Sequence, residues 1–284
     1  MYIYLNGNII RREEAAISPF DHGYMYGLGL FETFRTYNGH PFLLDDHLAR
    51  LNNGLEELDI DYQCKREDTL SILEQLLKVN GLQDAYVRLN VSAGAGDVGL
   101  QIAPYTEPTV IMYIKPLPLN GTQEKEGVVL KTTRNSPEGN RRLKSHHYLN
   151  NILAKKEMGS APAKEGIFLT KEGYIAEGIV SNLFFVKDGI VYTPSLETGI
   201  LDGITRQFVF SLLEKLNITV KEGFFTIQEL LKSDEIFVTN SVQEITPIVR
   251  IGNHFYPKGK HTLVHRLQTI YNQVCQSLWS KRDL

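Results

Sequence analysis

With 284 residues, 42% of them hydrophobic and 22% charged, the chain is long enough to form two domains and apolar enough to bury a substantial core. A formal net charge of -3 gives no broad electrostatic reason to bind nucleic acid or an anionic membrane, and no apolar run is long enough to cross a bilayer, so the expected partner is a small molecule. The two cysteines, Cys64 and Cys275, are too sparse for a disulfide framework, and the N-terminus has no basic stretch leading into an apolar one; the cytoplasm is the expected compartment.

From the N-terminus, β-prone residues 2–5 and 8–10 flank Asn6-Gly7, a pair suited to the positive φ angles of a tight turn, so a hairpin is expected first. From Asp45 onward Leu48, Leu51, Leu55 and Leu58 recur at helical spacing, and Asp45 and Asp46 suit the positive end of that helix. A second helix is predicted from about Glu67 to Asn80 with Gly81 as its stop, then strands at Ala85–Val91 and Thr109–Lys115. Residues 116–127 are rich in proline, glycine and charge, the composition of an exposed connection. The expected division is a small N-terminal domain over 1–118, a linker over 119–127 and a larger C-terminal domain over 128–284.

Beyond the linker a strand is predicted at Val128–Thr133 and a helix from near Tyr148 to about Met158. Short β-prone runs at Gly166–Thr170, Tyr174–Glu177, Leu183–Val186 and Ile190–Tyr192, separated by turns such as Asp188-Gly189, imply meanders and not simple βαβ repeats. A helix carrying Ile204, Phe208, Leu212 and Leu216 should follow Asp202-Gly203, and a last helix should span about His261–Trp279. The expected fold class is therefore α/β in the α+β sense, two domains of mixed and antiparallel strands with flanking helices.

Several local patterns invite chemistry. Gly94-Ala95-Gly96-Asp97-Val98-Gly99 fits the glycine spacing of a dinucleotide loop, but Pro104 and Pro108 follow where that motif needs a helix, so a plain loop is expected. His261 and His265 have the spacing of two metal ligands on one helix, yet Thr262 stands where a zinc protease needs glutamate and no second ligand cluster is evident; no metal is expected. His146 and His147 are adjacent and cannot both face one site from a regular helix. Asp202-Gly203-Ile204-Thr205-Arg206 reads as a helix start whose unpaired N–H groups suit a phosphate, although many helices begin this way without a ligand. A nucleophilic lysine must be sheltered, and spacing alone selects none.

As a set, three segments are similar to fold-type IV pyridoxal-phosphate enzymes, the class of the branched-chain and D-amino-acid aminotransferases. They are Arg142-Leu143-Lys144-Ser145-His146-His147-Tyr148-Leu149-Asn150-Asn151, Ala176-Glu177-Gly178-Ile179-Val180-Ser181-Asn182-Leu183-Phe184 and Gly199-Ile200-Leu201-Asp202-Gly203-Ile204-Thr205-Arg206. Ser18-Pro19-Phe20-Asp21-His22-Gly23, Gly29-Leu30-Phe31-Glu32-Thr33-Phe34-Arg35 and His47-Leu48-Ala49-Arg50-Leu51 resemble the small domain of the same family. The resemblance implies pyridoxal 5'-phosphate as cofactor and a homodimer in which residues near Tyr26 help complete the neighbouring subunit's site. It also implies that Lys144 is the Schiff-base lysine, that Glu177 faces the pyridine nitrogen, and that Arg50, Ile204, Thr205 and Ser241 hold the phosphate, with Tyr148 on the ring oxygen.

Within the family the likeness runs to bacterial aminodeoxychorismate lyases, which implies conversion of 4-amino-4-deoxychorismate to 4-aminobenzoate and pyruvate for folate synthesis. Thr33 is the discriminating residue: the lyases carry threonine there and branched-chain aminotransferases glycine, so the resemblance makes Thr33 a proton donor, whereas its β-branched side chain also suits a strand. Tyr86-Val87-Arg88 is similar to a Tyr-x-Arg pattern of branched-chain aminotransferases, which keeps an aminotransferase as the alternative. Arg88 and Arg35 are candidates for substrate carboxylates in either reaction, and Tyr26 and Phe31 complete the implied substrate-binding set; Asn90 stands where an Arg-x-His pattern would place histidine in a D-amino-acid aminotransferase.

Overall fold

The computed structural model describes residues 1–117 and 124–284. These fall into two units: Met1–Pro118 with Leu143–His147 and Cys275–Asp283, and Leu119–Arg142 with Tyr148–Val274 and Leu284.

In the first unit β1 (Tyr2–Leu5) and β2 (Asn8–Arg11) form the opening hairpin, with Asn6 and Gly7 at φ 43° and 91° as its tight turn requires. There follow α1 (His22–Tyr26), β3 (Gly29–Tyr37), β4 (His40–Pro41), α2 (Leu44–Glu57), α3 (Arg66–Asn80), β5 (Ala85–Ser92) and β6 (Thr109–Pro116). The strands make an antiparallel six-stranded sheet in the order β2-β1-β6-β5-β3-β4. Its core lies on the α2 side, where Leu44, Leu48, Leu51 and Leu55, one face of that helix, are buried with Leu30, Phe34, Val87, Leu89 and Val91. α3 ends at Gly81 in the left-handed region at φ 64°, the stop that its glycine marks in the sequence.

The second unit contains β7 (Lys125–Val129), α4 (Leu149–Met158), β8 (Lys164–Leu169), β9 (Ile175–Gly178), β10 (Asn182–Lys187), β11 (Ile190–Pro194), α5 (Ile204–Lys215), β12 (Val220–Gly223), α6 (Ile227–Leu231), β13 (Glu235–Asn240), β14 (Glu244–Ile251), β15 (His254–Phe255) and α7 (Leu263–Val274). Its nine-stranded sheet is mixed: β7 runs parallel to both β14 and β8, and β12 parallel to β11, while the remaining pairs are antiparallel.

Three expectations change. The linker expected over 119–127 lies partly outside the described residues, and Lys125 and Glu126 begin a central strand in which Lys125 Nζ is buried against Glu165 Oε2 at 2.6 Å. The strand predicted at Val128–Thr133 ends early at Val129, because the N–H groups of Lys131 and Thr132 donate to the Glu157 carboxylate (2.6 and 2.9 Å) instead of to a neighbouring strand. The last helix spans neither His261 nor Trp279. Thr262 Oγ1 caps it by accepting from His265 N at 3.1 Å, and the Glu235 carboxylate accepts from Leu263 N and Val264 N at 2.9 and 3.0 Å. Cys275–Asp283 instead belongs to the first unit, where the carbonyls of Leu278 and Trp279 accept from Leu43 N and Asp45 N at 3.1 and 3.0 Å.

The glycine pattern at 94–99 opens no helix. Gly94, at φ 79°, accepts from His22 N at 2.9 Å, and a Cβ there would overlap the Glu107 carbonyl; a Cβ on Gly96 would sit 2.8 Å from His22 Nε2. These glycines allow a loop to close around His22. Gly39 has nearly the same φ, 81°, with open space around it. A side chain at such a φ costs about 1–2 kcal/mol from backbone strain, so Gly39→Ala should lose about that much in urea denaturation. Gly94→Ala should lose clearly more, because the overlapping atom is backbone and cannot turn away; equal losses would refute the close-packing explanation.

Candidate active site

The segment Leu143–His147 is placed by backbone bonding to the start of β3: Phe31 N donates to Lys144 O and His146 N to Gly29 O, both at 2.9 Å, with Leu30 bridged to Ser145. Side chains alternate along such a pairing, so Lys144 shares a face with Phe31 while Leu143 turns toward the core. Lys144 Nζ lies 4.6 Å from the centre of the Phe31 ring, and the Arg88 guanidinium carbon 3.6 Å from the same centre. In the β3–β5 register Phe31, Thr33 and Arg35 stand opposite Asn90, Arg88 and Tyr86, so Lys144, Phe31, Thr33, Arg35 and Arg88 are drawn from one face of the sheet. Arg35 leans on the Tyr37 ring at 4.4 Å. Tyr26, at the end of α1, accepts from Gly99 N at 2.8 Å through its hydroxyl.

The opposite face of β3 carries Glu32, 1% exposed among apolar neighbours and engaged by two residues of α2. Arg50 donates to it from Nε and Nη2 at 2.7 and 2.8 Å, and His47 Nδ1 lies 2.6 Å from Oε2. Burial alone raises the Glu32 carboxyl, but Arg50 and His47 together outweigh burial and bring it to about 2. A carboxylate only accepts, so His47 must donate from Nδ1; burial depresses the His47 pKa, which keeps the ring neutral in that role. Arg50 is thus locked in plane by a residue that sequence reasoning does not single out. The signal available was the spacing of His47 and Arg50, three apart on one helix face.

In the second unit Glu177 on β9 is buried, its Oε1 accepting from Arg134 Nε at 2.8 Å and its Oε2 from Leu201 N at 3.1 Å and Asn182 Nδ2 at 3.4 Å. A carboxylate offers about four lone-pair sites, so three donors leave room for one more N–H. At the start of α5, Thr205 Oγ1 and Ser241 Oγ stand 3.4 Å apart, and Thr239 Oγ1 is buried without a hydrogen-bond partner among the described residues. The Gly203 N-cap has no side-chain cap, and a Cβ there would overlap Asn182 Oδ1. The first-turn N–H groups from Ile204 onward and the adjacent hydroxyls of Thr205 and Ser241 form a donor-rich cradle suited to an anion such as a phosphate. Arg206 is turned inward to Asp202 Oδ1 at 3.1 Å and to Glu222. Tyr148, half-buried, is the N-cap residue of α4. Arg134 is not singled out in the sequence, because a hydrogen bond to a strand 43 residues away leaves no local pattern. His261 lies before the cap of α7, so it and His265 do not share a helix.

A family model described as class IV amino-transferase matches residues 29–251, and the chain belongs to that family; its fold is that of the fold-type IV pyridoxal-phosphate enzymes. Aminodeoxychorismate lyase of Bacillus subtilis (strain 168) is 46% identical over 279 residues, covering 97% of this chain and 95% of that protein. D-alanine aminotransferase of Bacillus licheniformis is 33% identical over 259 residues, 91% of each. The branched-chain aminotransferase of the thermophilic archaeon Thermoproteus uzoniensis, solved with norvaline, matches with a TM-score of 0.86 at 27% identity, covering 97% of this chain and 95% of that one.

The Glu32 cluster sets an acid limit on stability. Its folded pKa is depressed from 4.5 to about 2, so between those values the unfolded chain binds the extra proton and stability falls as pH is lowered through the window. The depressed His47 pKa acts in the same direction, beginning below 6.5. Glu32→Gln should cost about 3–5 kcal/mol near neutral pH, as breaking a buried pair does. It should also flatten the dependence of urea-denaturation stability on pH between about 4.5 and 2; an unchanged acid limb would exclude this residue as its source.

Proposed function

We propose that this chain catalyses the pyridoxal 5'-phosphate-dependent cleavage of 4-amino-4-deoxychorismate to 4-aminobenzoate and pyruvate, a carbon–oxygen lyase reaction that serves folate synthesis. The observation that carries it is the position of Thr33, directly opposite Arg88 on the strand whose Phe31 adjoins Lys144. The identity of 46% along nearly the whole length of a Bacillus aminodeoxychorismate lyase supports the same reaction.

The donor set of the second unit fits a phosphate, and Ile204, Thr205 and Ser241 would hold it, with Tyr148 on the ring oxygen. Arg50, oriented by Glu32 in the first unit, is a phosphate partner that the family likeness implies. Glu177 would accept the pyridine N–H at its remaining lone pair, keeping that nitrogen protonated. When bound, the cofactor supplies an electron sink for charge developing on the carbon beside the substrate amine. Arg88 and Arg35 receive substrate carboxylates, with Phe31 and Tyr26 walling the substrate. The Lys144 amine, besides being the attachment point, takes the proton from C4, and the Thr33 hydroxyl gives a proton to the departing enolpyruvate group, which leaves as pyruvate while the six-membered ring becomes aromatic.

A homodimer is part of the proposal, supported by Leu100 and Ile102, which stand 91% and 99% exposed on the loop after Gly99. A cytoplasmic setting is supported by two buried cysteines that form no disulfide. Among the described residues no helix is long and apolar enough to cross a membrane.

Pure protein with added cofactor, given 4-amino-4-deoxychorismate and no 2-oxo acid, should release 4-aminobenzoate and pyruvate in equal amounts over many turnovers. Transfer of an amine from D-alanine or leucine to 2-oxoglutarate, without that release, would replace the lyase by an aminotransferase. Thr33→Ala should keep the visible absorbance of the bound cofactor while losing about 10²- to 10⁴-fold in rate, and Lys144→Ala should lose that absorbance band. Wild-type turnover by Thr33→Ala would remove the hydroxyl from the mechanism.

A further inference from the structure

Arg88 belongs to a chain of hydrogen bonds whose polarity is fixed. Its Nε donates to Asn90 Oδ1 at 2.7 Å, and Asn90 Nδ2 lies 2.8 Å from His146 Nε2. A guanidinium only donates, so the amide oxygen must face it and the amide NH₂ must face the imidazole. His146 Nε2 therefore accepts, which leaves Nδ1 to donate to the backbone at Leu30. The chain requires a neutral ring, and burial, reinforced by Arg88, pushes His146 down to about 4.

The ring's seat is also built. A Cβ on Gly29 would come within 2.5 and 2.7 Å of His146 Cε1 and Nδ1, so only glycine leaves room for it, and its other neighbour is Phe31, stacked at 6.4 Å between centroids. The same Phe31 ring lies under the Arg88 guanidinium. Arginine has four flexible side-chain torsions, and here one face of the guanidinium is fixed by an aromatic ring and one edge by an amide that a histidine orients.

We propose that Asn90 and His146 are positioning residues that hold the Arg88 guanidinium in a single orientation and thereby determine the enzyme's affinity for a carboxylate-bearing substrate. The inference rests on the reading of Arg88 as a partner of a substrate carboxylate. Neither residue touches the reacting atoms, so disturbing them raises KM and leaves kcat, which depends on Lys144 and Thr33, nearly unchanged.

The test uses holoenzyme carrying His146→Leu, which removes the acceptor, and His146→Gln, whose amide oxygen can restore it. KM and kcat for 4-amino-4-deoxychorismate are read beside the calorimetric Kd of chorismate, a dicarboxylate that lacks the reacting amine. The expected result is a rise of roughly tenfold or more in both KM and Kd for His146→Leu, as for loss of a hydrogen bond that orients a charged group. kcat should stay within about threefold and His146→Gln should recover most of the affinity. Unchanged affinity in His146→Leu with intact cofactor absorbance overturns the inference, as does an equal fall in kcat for the leucine and glutamine variants. If the wild type binds chorismate but cleaves no substrate, the reaction assignment falls while the affinity series still decides the role of His146; a wild type that binds no chorismate overturns both.

Discussion

The short antiparallel pairing between the start of β3 and Leu143–His147 is the constraint on which the candidate site residues of the first unit depend. Backbone hydrogen bonds at Phe31 and Gly29 set its register to the residue. Alternation then sends Leu143 toward Gly54 and the core, and Lys144 and His146 to the other face with Phe31 and Gly29. A slip of one residue would bury the lysine and present Leu143 or Ser145 in its place. Glycine at position 29 belongs to the same constraint: with any side chain there, the imidazole of His146 could not lie down on the strand, and the pairing would open where it carries its functional groups.

Strand β3 therefore has two separate tasks. Its even-numbered residues Leu30, Glu32 and Phe34 face α2, where two of them build the core and the third anchors His47 and Arg50. Its odd-numbered residues Phe31, Thr33 and Arg35 share the face to which Lys144 points. Glu32 is costly to bury, and both groups that hydrogen-bond it, the Arg50 cation and the His47 ring, come from the one helix packed against the strand. The charge cluster thus fixes the angular position of α2 as well as the plane of the Arg50 guanidinium, something an apolar contact, being non-directional, would not do.

The helices α2, α3 and α5 and the hairpins were legible because their signals are local: leucines at helical spacing, Gly81 as a stop, Asn6-Gly7 as a turn. β3 has no clean alternation, since both faces are covered and seven of its nine residues are buried. The ends of β7 and α7 were misplaced for a related reason: Glu157 and Glu235 terminate them through backbone N–H groups distant in sequence, and no window around Val128 or His261 contains that information. For the candidate site, family likeness marked Lys144, Glu177 and Thr205, but the residues that orient them or their neighbours were silent. Arg134 and Glu32 are ordinary polar residues until folding brings a partner 43 or 15 positions away to hydrogen-bond distance.

The cofactor-holding residues cannot by themselves choose between cleavage and amine transfer, since likeness extends to enzymes of both kinds. The choice has to lie where substrates differ, and the β3–β5 pairing narrows it. Thr33 and Arg88 are directly opposite, which puts their Cβ atoms about 4.5–5.5 Å apart. A carboxylate held by Arg88 is then anchored next to the Thr33 hydroxyl, so the group that binds an enolpyruvyl-type anion and the group that would protonate it are set by one backbone register. An aminotransferase has no use for a proton donor there, because it expels no carbon fragment. On the proposed lyase reading, glycine in place of Thr33 would keep the strand, the arginine and the lysine and remove the one function that cleavage adds, a hydroxyl whose position is fixed by strand pairing.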